Sequence, residues 1–163
     1  FGYQHEDILP DVVTSAKALG NGVPIGACLA RGIAATILSP GTHGSTFGGN
    51  PLACSAALAV LDVVNEKNLL ERSRLLGNFF ATAFQRKLAS RNEVIEVRGK
   101  GLMVGIELDR PCGELVKICS SRGVLINVAA QNVVRLLPPL IISDDQATEI
   151  VENVSASIFD FLD

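Results

Sequence analysis

The stretch DVVTSAKALGNGVPIGACLA, Asp11 to Ala30, decides how the rest of the chain is read. Its first part, VVTSA, is apolar and β-branched, so a short strand is expected from Asp11 to Ala16, with Lys17 standing where it runs out. Leu19-Gly20-Asn21-Gly22-Val23-Pro24 is turn chemistry, and Ile25 to Ala30 is an apolar run expected to form a second, buried strand. A lysine at a strand's carboxyl end, just before a glycine turn, sits where open α/β sheets place their ligands. Partial desolvation there would lower its pKa, and the neutral amine could attack an aldehyde to form a Schiff base. On spacing alone, an ordinary solvated lysine at a strand end is the more frequent case.

Downstream lies GTHGSTFGGNP, Gly41 to Pro51. Hydroxyls and glycines lead into a helix with Asn50 as N-cap and Pro51 at its first position. Exposed N–H groups and the positive end of the helix dipole favour a phosphate. A plain linker with a capped helix behind it explains the same composition. His43 has no partner at useful spacing and reads as a loop residue. The helix carries Ala56, Ala57, Val60, Leu61 and Val64 on one side. After a break at Asn65 to Asn68 a longer amphipathic helix is expected, with Leu76, Phe79, Phe80, Ala83, Phe84 and Leu88 at helical spacing.

The second half changes rhythm. Strands are expected at Val94 to Arg98 and Leu102 to Leu108, with Gly99-Lys100-Gly101 turning the chain between them. A helix over Glu114 to Arg122 is closed by Gly123. Short strands follow at Val124 to Asn127 and Val133 to Leu137, the latter ended by Pro138-Pro139. Ser143-Asp144-Asp145-Gln146 is a capping box opening the last helix. The layout is α/β first and a compact α+β unit after it, divided as residues 1–65 and 66–163. Arg135 lies among Val133, Val134, Leu136 and Leu137. It either points to solvent from an edge strand or meets an anion, and its guanidinium fork suits a carboxylate.

Composition narrows the classes. Of 163 residues, 48% are hydrophobic and 19% charged, a globular balance. A net charge of −3 argues against a nucleic-acid or anionic-membrane surface. No apolar run is long enough to cross a bilayer. The four cysteines form no C-x-x-C pair and there are only two histidines, so no metal site is expected and the thiols read as reduced, cytoplasmic ones. Gly99-Lys100-Gly101 is too short for a nucleotide motif, and Glu66, Glu71 and Glu107 are scattered.

These features stand in the order of a known family. DVVTSAKALGNGVPIGACLA resembles the lysine segment of the class III aminotransferases, and GTHGSTFGGNPLACSAALAVLD resembles their phosphate-contacting loop and following helix. VRGKGLMVGIELDRPCGELV and VVRLLPPLIIS resemble two small-domain segments of the acetylornithine/ornithine branch. Together they cover nearly the whole chain. The resemblance implies a fold-type I pyridoxal-phosphate enzyme, here the C-terminal portion of the large domain plus the small α+β domain. Lys17 would hold the pyridoxal 5'-phosphate and shuttle the catalytic proton. Ser45 and Thr46 would reach the cofactor phosphate across a homodimer interface, and Arg135 would bind a substrate carboxylate. The implied reaction moves an amino group from N-acetylornithine to 2-oxoglutarate in arginine biosynthesis.

The chain departs from the family in one respect. The family's acidic partner for the pyridine nitrogen, its glycine-rich phosphate turn and its ring-stacking aromatic all precede the lysine, which here is only the seventeenth residue. Asp7 and Asp11 match the segment after that acidic residue, so no pyridine-nitrogen partner is assigned. With Phe1 in place of an initiating Met and no secretory signal, the expectation is a truncated chain, inactive alone. A neighbouring ω-aminotransferase acting on ornithine or succinylornithine, or a non-catalytic folded module, are the competing expectations.

Overall fold

A computed structural model describes residues 1–163, which divide into two compact units, Phe1–Lys67 and Asn68–Asp163. In the first unit a short 3-10 turn, Gly2–His5, precedes β1, Val12–Ala16. A second 3-10 turn, Lys17–Leu19, leads to β2, Gly26–Ala30, which pairs antiparallel with β1 from Val12 opposite Ala30 to Ala16 opposite Gly26. The one-turn helix α1, Ala34–Ile37, and the loop after it lead into α2, Pro51–Glu66. Both strands fall where the sequence places them, but β2 is not buried. Only Ala27 is partly covered, and Leu29 is 51% exposed. A two-stranded ribbon has no second layer to bury its faces, so apolar composition alone does not make a core strand.

The second unit carries the main core. Helix α3, Leu69–Leu88, starts at Asn68, whose left-handed backbone (φ 48°) ends the preceding helix and redirects the chain. It buries Leu69, Leu76, Phe80, Ala83, Phe84 and Leu88, a stripe at helical spacing. The rings of Phe80 and Phe84 stack with centroids 6.1 Å apart. Next come β3, Val94–Lys100, and β4, Met103–Leu108, then α4, Leu115–Ser121, β5, Asn127–Ala129, β6, Val133–Leu136, and α5, Asp144–Leu162. The four strands form one antiparallel sheet in the order β3-β4-β6-β5. Val104, Ile106, Leu108, Val134 and Leu136 alternate onto the face that packs with the helices.

Three local readings change. Val94 and Val97 both border the core, although a spacing of three cannot share one face of a regular strand. A bulge at Ile95 shifts the register between Val94 opposite Leu108 and Glu96 opposite Glu107, which returns both valines to the core side. Gly99 and Lys100 belong to β3 rather than to the turn, which closes at Gly101 (φ 52°) and Leu102. The strand expected at Val124 to Asn127 begins only at Asn127, because β5 pairs β6 solely over Asn127, Val128 and Ala129. The final helix opens as its sequence indicates. Ser143 Oγ accepts from Gln146 N at 3.1 Å, and the Gln146 side chain accepts from Ser143 N at 2.9 Å.

Candidate active site

Lys17 sits at the carboxyl end of β1 as the first residue of a 3-10 turn, with Gly20 N donating to the Lys17 carbonyl at 3.1 Å. Its backbone is left-handed (φ 53°). For a residue other than glycine or Asx this conformation costs on the order of 1 kcal/mol, and such strain concentrates at functional positions. The other strained residues that are neither glycine nor Asx, Ala130 and Gln131, are explained by the tight β5–β6 connection. Gly20 holds the turn closed. It is buried, and a Cβ there would lie 2.2 Å from the Val23 carbonyl oxygen. The lysine side chain is exposed in this chain, so the desolvation expected from a buried strand end is not supplied by β1 and β2.

The hydroxyl loop is built from nested side-chain turns. Thr42 Oγ1 accepts from Ser39 N at 2.9 Å and donates to the Ser39 carbonyl. Ser45 Oγ accepts from Gly48 N at 3.0 Å. Asn50 Nδ2 donates to the Phe47 carbonyl at 2.8 Å, while its Oδ1 caps α2 by accepting from Ala53 N at 3.0 Å. The two expected phosphate ligands therefore differ. The Ser45 oxygen already shapes the loop and has its proton left to donate, whereas the Thr46 hydroxyl has no partner within the chain and is exposed. Helix α2 packs against the Lys17–Leu19 turn, so one helix supports both the lysine and the loop. His43 approaches only Thr42, at 3.5 Å.

In the second unit Arg135 lies on β6, which is an interior strand of the sheet and not an edge. Val134 and Leu136 point into the core, and Arg135 points to the opposite, open face. Its directly opposed neighbours are Gly105 on β4 and Asn127 on β5. Seven of the nine arginines have a carboxylate partner: Arg31, Arg72, Arg74, Arg91, Arg98, Arg110 and Arg122. Arg135 has none, so its fork is available to an anion from outside.

One feature of this face escapes a linear reading. Glu107, which looks like a scattered carboxylate, is bound by Arg98 Nη1 at 2.5 Å, and the same nitrogen lies 2.6 Å from Glu96. The hydrogen bonds that Arg98 donates to Glu107 and then to Glu96 push its guanidinium further up from its already high range. The clue in the sequence is the strand alternation of Met103, Gly105 and Glu107, which has meaning only once β4 is flanked by β3 and β6.

The first unit thus carries a lysine with left-handed backbone at a strand end and a hydroxyl loop capping a helix, and the second unit carries an arginine without a carboxylate partner. Residues 1–158 match the family model described as aminotransferase class-III, and the chain belongs to that family. It is 50% identical to an acetylornithine aminotransferase of Nitrosomonas europaea over all 163 of its residues, which are 42% of that relative. The structure superposes on an Elizabethkingia anophelis acetylornithine aminotransferase with a TM-score of 0.89 at 37% identity, covering 98% of this chain and 43% of that one. A Toxoplasma gondii ornithine aminotransferase with pyridoxal phosphate at partial occupancy in its active site gives 0.92 at 33% identity, over 98% of this chain and 39% of that one. The chain thus spans about two fifths of the relatives it resembles.

Proposed function

We propose that this chain belongs to an N-acetylornithine:2-oxoglutarate aminotransferase that uses pyridoxal 5'-phosphate in arginine biosynthesis. Residues 1–65 are read as the C-terminal part of its cofactor-binding domain and residues 66–163 as its small domain. The observation that carries the reading is Lys17: an exposed amine at a strand's end on a backbone strained to φ 53°. The choice of acetylornithine follows the relatives, which share half of this sequence.

The donors present suit an aldehyde carrying a phosphate. The Lys17 Nζ is the amine for the aldehyde carbon, and Thr46, the Ser45 proton and the N-terminus of α2 are anion donors. No carboxylate of this chain is assigned to a pyridine nitrogen. When bound, the cofactor supplies an electron-withdrawing ring that stabilises negative charge on the substrate carbon. Lys17 Nζ would act as the base that moves the proton between the substrate carbon and the cofactor carbon. Thr46 fixes the phosphate by donating its hydroxyl proton. Arg135 would hold the substrate's α-carboxylate in a two-point grip.

Thr46 is read as serving the partner subunit's phosphate, which makes the enzyme a homodimer. The four unpaired cysteines suit a reducing compartment, and we place the enzyme in the cytoplasm. No helix is long and apolar enough to cross a membrane. The likeness to ornithine aminotransferase structures keeps ornithine as the second amine to test. The enzyme is assayed with N-acetylornithine, N-succinylornithine and ornithine against 2-oxoglutarate. The highest kcat/KM is expected for N-acetylornithine, and a clear preference for ornithine would overturn the assignment.

A further inference from the structure

Every polar group of Asn50 is engaged. Its backbone N–H donates to the Phe47 carbonyl at 3.3 Å, and its own carbonyl accepts from Cys54 N at 3.1 Å. Its side-chain oxygen accepts from Ala53 N at 3.0 Å, and its side-chain amide donates to the same Phe47 carbonyl at 2.8 Å. Capping α2 needs only the side-chain oxygen, which serine or aspartate supplies equally well. The amide donor is what asparagine adds, and it goes to the loop. Two turns overlap there, Ser45 to Gly48 and Phe47 to Asn50, the first closed by Gly48 N donating to Ser45 Oγ at 3.0 Å. The first admits only glycine at its end, since a Cβ on Gly48 would lie 2.8 Å from Ser45 Cβ and Oγ. Thr46 therefore has a fixed residue on each side: Ser45 is tied to Gly48, and Phe47 is tied to the start of α2. The exposed Thr46 side chain does nothing itself to hold its place.

We propose that Asn50 is a positioning residue for the cofactor phosphate: its side-chain amide fixes the Phe47 carbonyl to the start of α2 and so presents the Thr46 hydroxyl to the phosphate. This rests on Thr46 being a phosphate ligand. Asn50 acts through Thr46, because its own amide is spent on Phe47. A loop that is already ordered loses little freedom when the anion arrives, so the order Asn50 supplies is read as cofactor affinity. Without the amide the Phe47 carbonyl keeps only the longer bond from Asn50 N, and Thr46 spends part of its time away from the binding position. Loss of one neutral hydrogen bond shifts such an equilibrium about two- to tenfold, and the apparent affinity falls with the competent fraction.

Two measurements test this. In the 163-residue chain without cofactor, amide hydrogen exchange is compared between wild type and Asn50→Asp, which keeps the capping oxygen at the same reach and removes only the amide donor. Exchange at Gly48 is expected to speed up about two- to tenfold while Ala53, still capped, stays as it was. Gly48 exchange indifferent to the substitution, or Ala53 accelerating equally, overturns the proposal whatever the loop binds. In the apoenzyme containing this segment, the neutral variant Asn50→Ser is titrated spectroscopically with pyridoxal phosphate and with pyridoxal, which lacks the phosphate. Binding of pyridoxal phosphate is expected to weaken about two- to tenfold and that of pyridoxal to stay at the wild-type value. In a Thr46→Ala background, Asn50→Ser is expected to add nothing. No weakening, equal weakening for pyridoxal, or an undiminished effect beside Thr46→Ala each overturns the proposal. If Gly48 exchange responds but Thr46→Ala alone leaves pyridoxal phosphate binding unchanged, Thr46 is not a phosphate ligand, and the part of Asn50 in cofactor binding falls with that reading.

Discussion

A methyl group added to Gly77 of α3 would lie 2.3 Å from the carbonyl oxygen of Gly101 in the β3–β4 turn. The helix and the hairpin touch backbone to backbone there, and Ser73 Oγ, one turn earlier, accepts from Leu102 N at 3.3 Å. Alanine is the better helix former by roughly 1 kcal/mol, which would favour Gly77→Ala on an isolated helix. The clash is with backbone, which cannot swing aside, and overpacking of this kind costs about 1–3 kcal/mol. The clash is expected to win, so Gly77→Ala lowers the denaturant midpoint of the chain. A midpoint that is unchanged or raised would show that the contact has room to open.

The lysine assignment is tested chemically. Borohydride reduction of the cofactor-loaded enzyme, followed by peptide mapping, is expected to place the pyridoxyl label on Lys17. Lys17→Arg should abolish transamination while keeping the positive charge. A label on Lys67, Lys87, Lys100 or Lys117 instead would move the site.

Thr46 has a free hydroxyl where Ser45 is already engaged with Gly48 N. Losing one hydrogen bond to a charged phosphate costs roughly 1.5–3 kcal/mol, so Thr46→Ala is expected to weaken cofactor binding about ten- to a hundredfold. Ser45→Ala is expected to act chiefly by loosening the loop. The check is spectroscopic titration of the apoenzyme with pyridoxal phosphate. Equal dissociation constants for wild type and Thr46→Ala would remove Thr46 from the phosphate site.

Arg135→Lys keeps a charge on the open sheet face but loses the fork. Since glutamate, 2-oxoglutarate and acetylornithine each present an α-carboxylate, catalytic efficiency should fall in both half-reactions. Normal stopped-flow rates with glutamate and with acetylornithine would make Arg135 a structural residue.

Cys112 and Cys119 are fully buried, and burial pushes both thiols up from their ordinary value of 9.0. At Cys119 the Ser157 hydrogen bond and the Arg122 charge offset this in part. A thiol that stays neutral when folded binds more protons than the unfolded chain once the pH exceeds the unfolded value. Its contribution is therefore complete below about pH 9 and is lost as pH rises toward the folded pKa. At neutral pH a thiol reagent should modify the exposed Cys28 first and leave Cys112 and Cys119 untouched until unfolding. Rapid loss of all four thiols from native protein would contradict the buried placement.

Some of this was legible without a structure, because it depends on neighbours along the chain. Asn50 and Pro51 start α2, Ser143 and Gln146 start α5, and the apolar stripe from Leu76 to Leu88 marks a helix face. Each is set by contacts within one or two turns, where residue type decides. The linear motifs around Lys17, Thr46 and Arg135 carried the family for the same reason. What the chain could not disclose is pairing across it. That β2 lies exposed, that Ile95 bulges, that β6 is an interior strand and that Glu107 pairs with Arg98 all depend on which strand lies beside which. Strand neighbours come from distant parts of the sequence, and a shift of one residue in register sends a side chain to the other face of the sheet. The sequence determined which side chains are available for chemistry, and the tertiary structure decided which of them are already spent on one another.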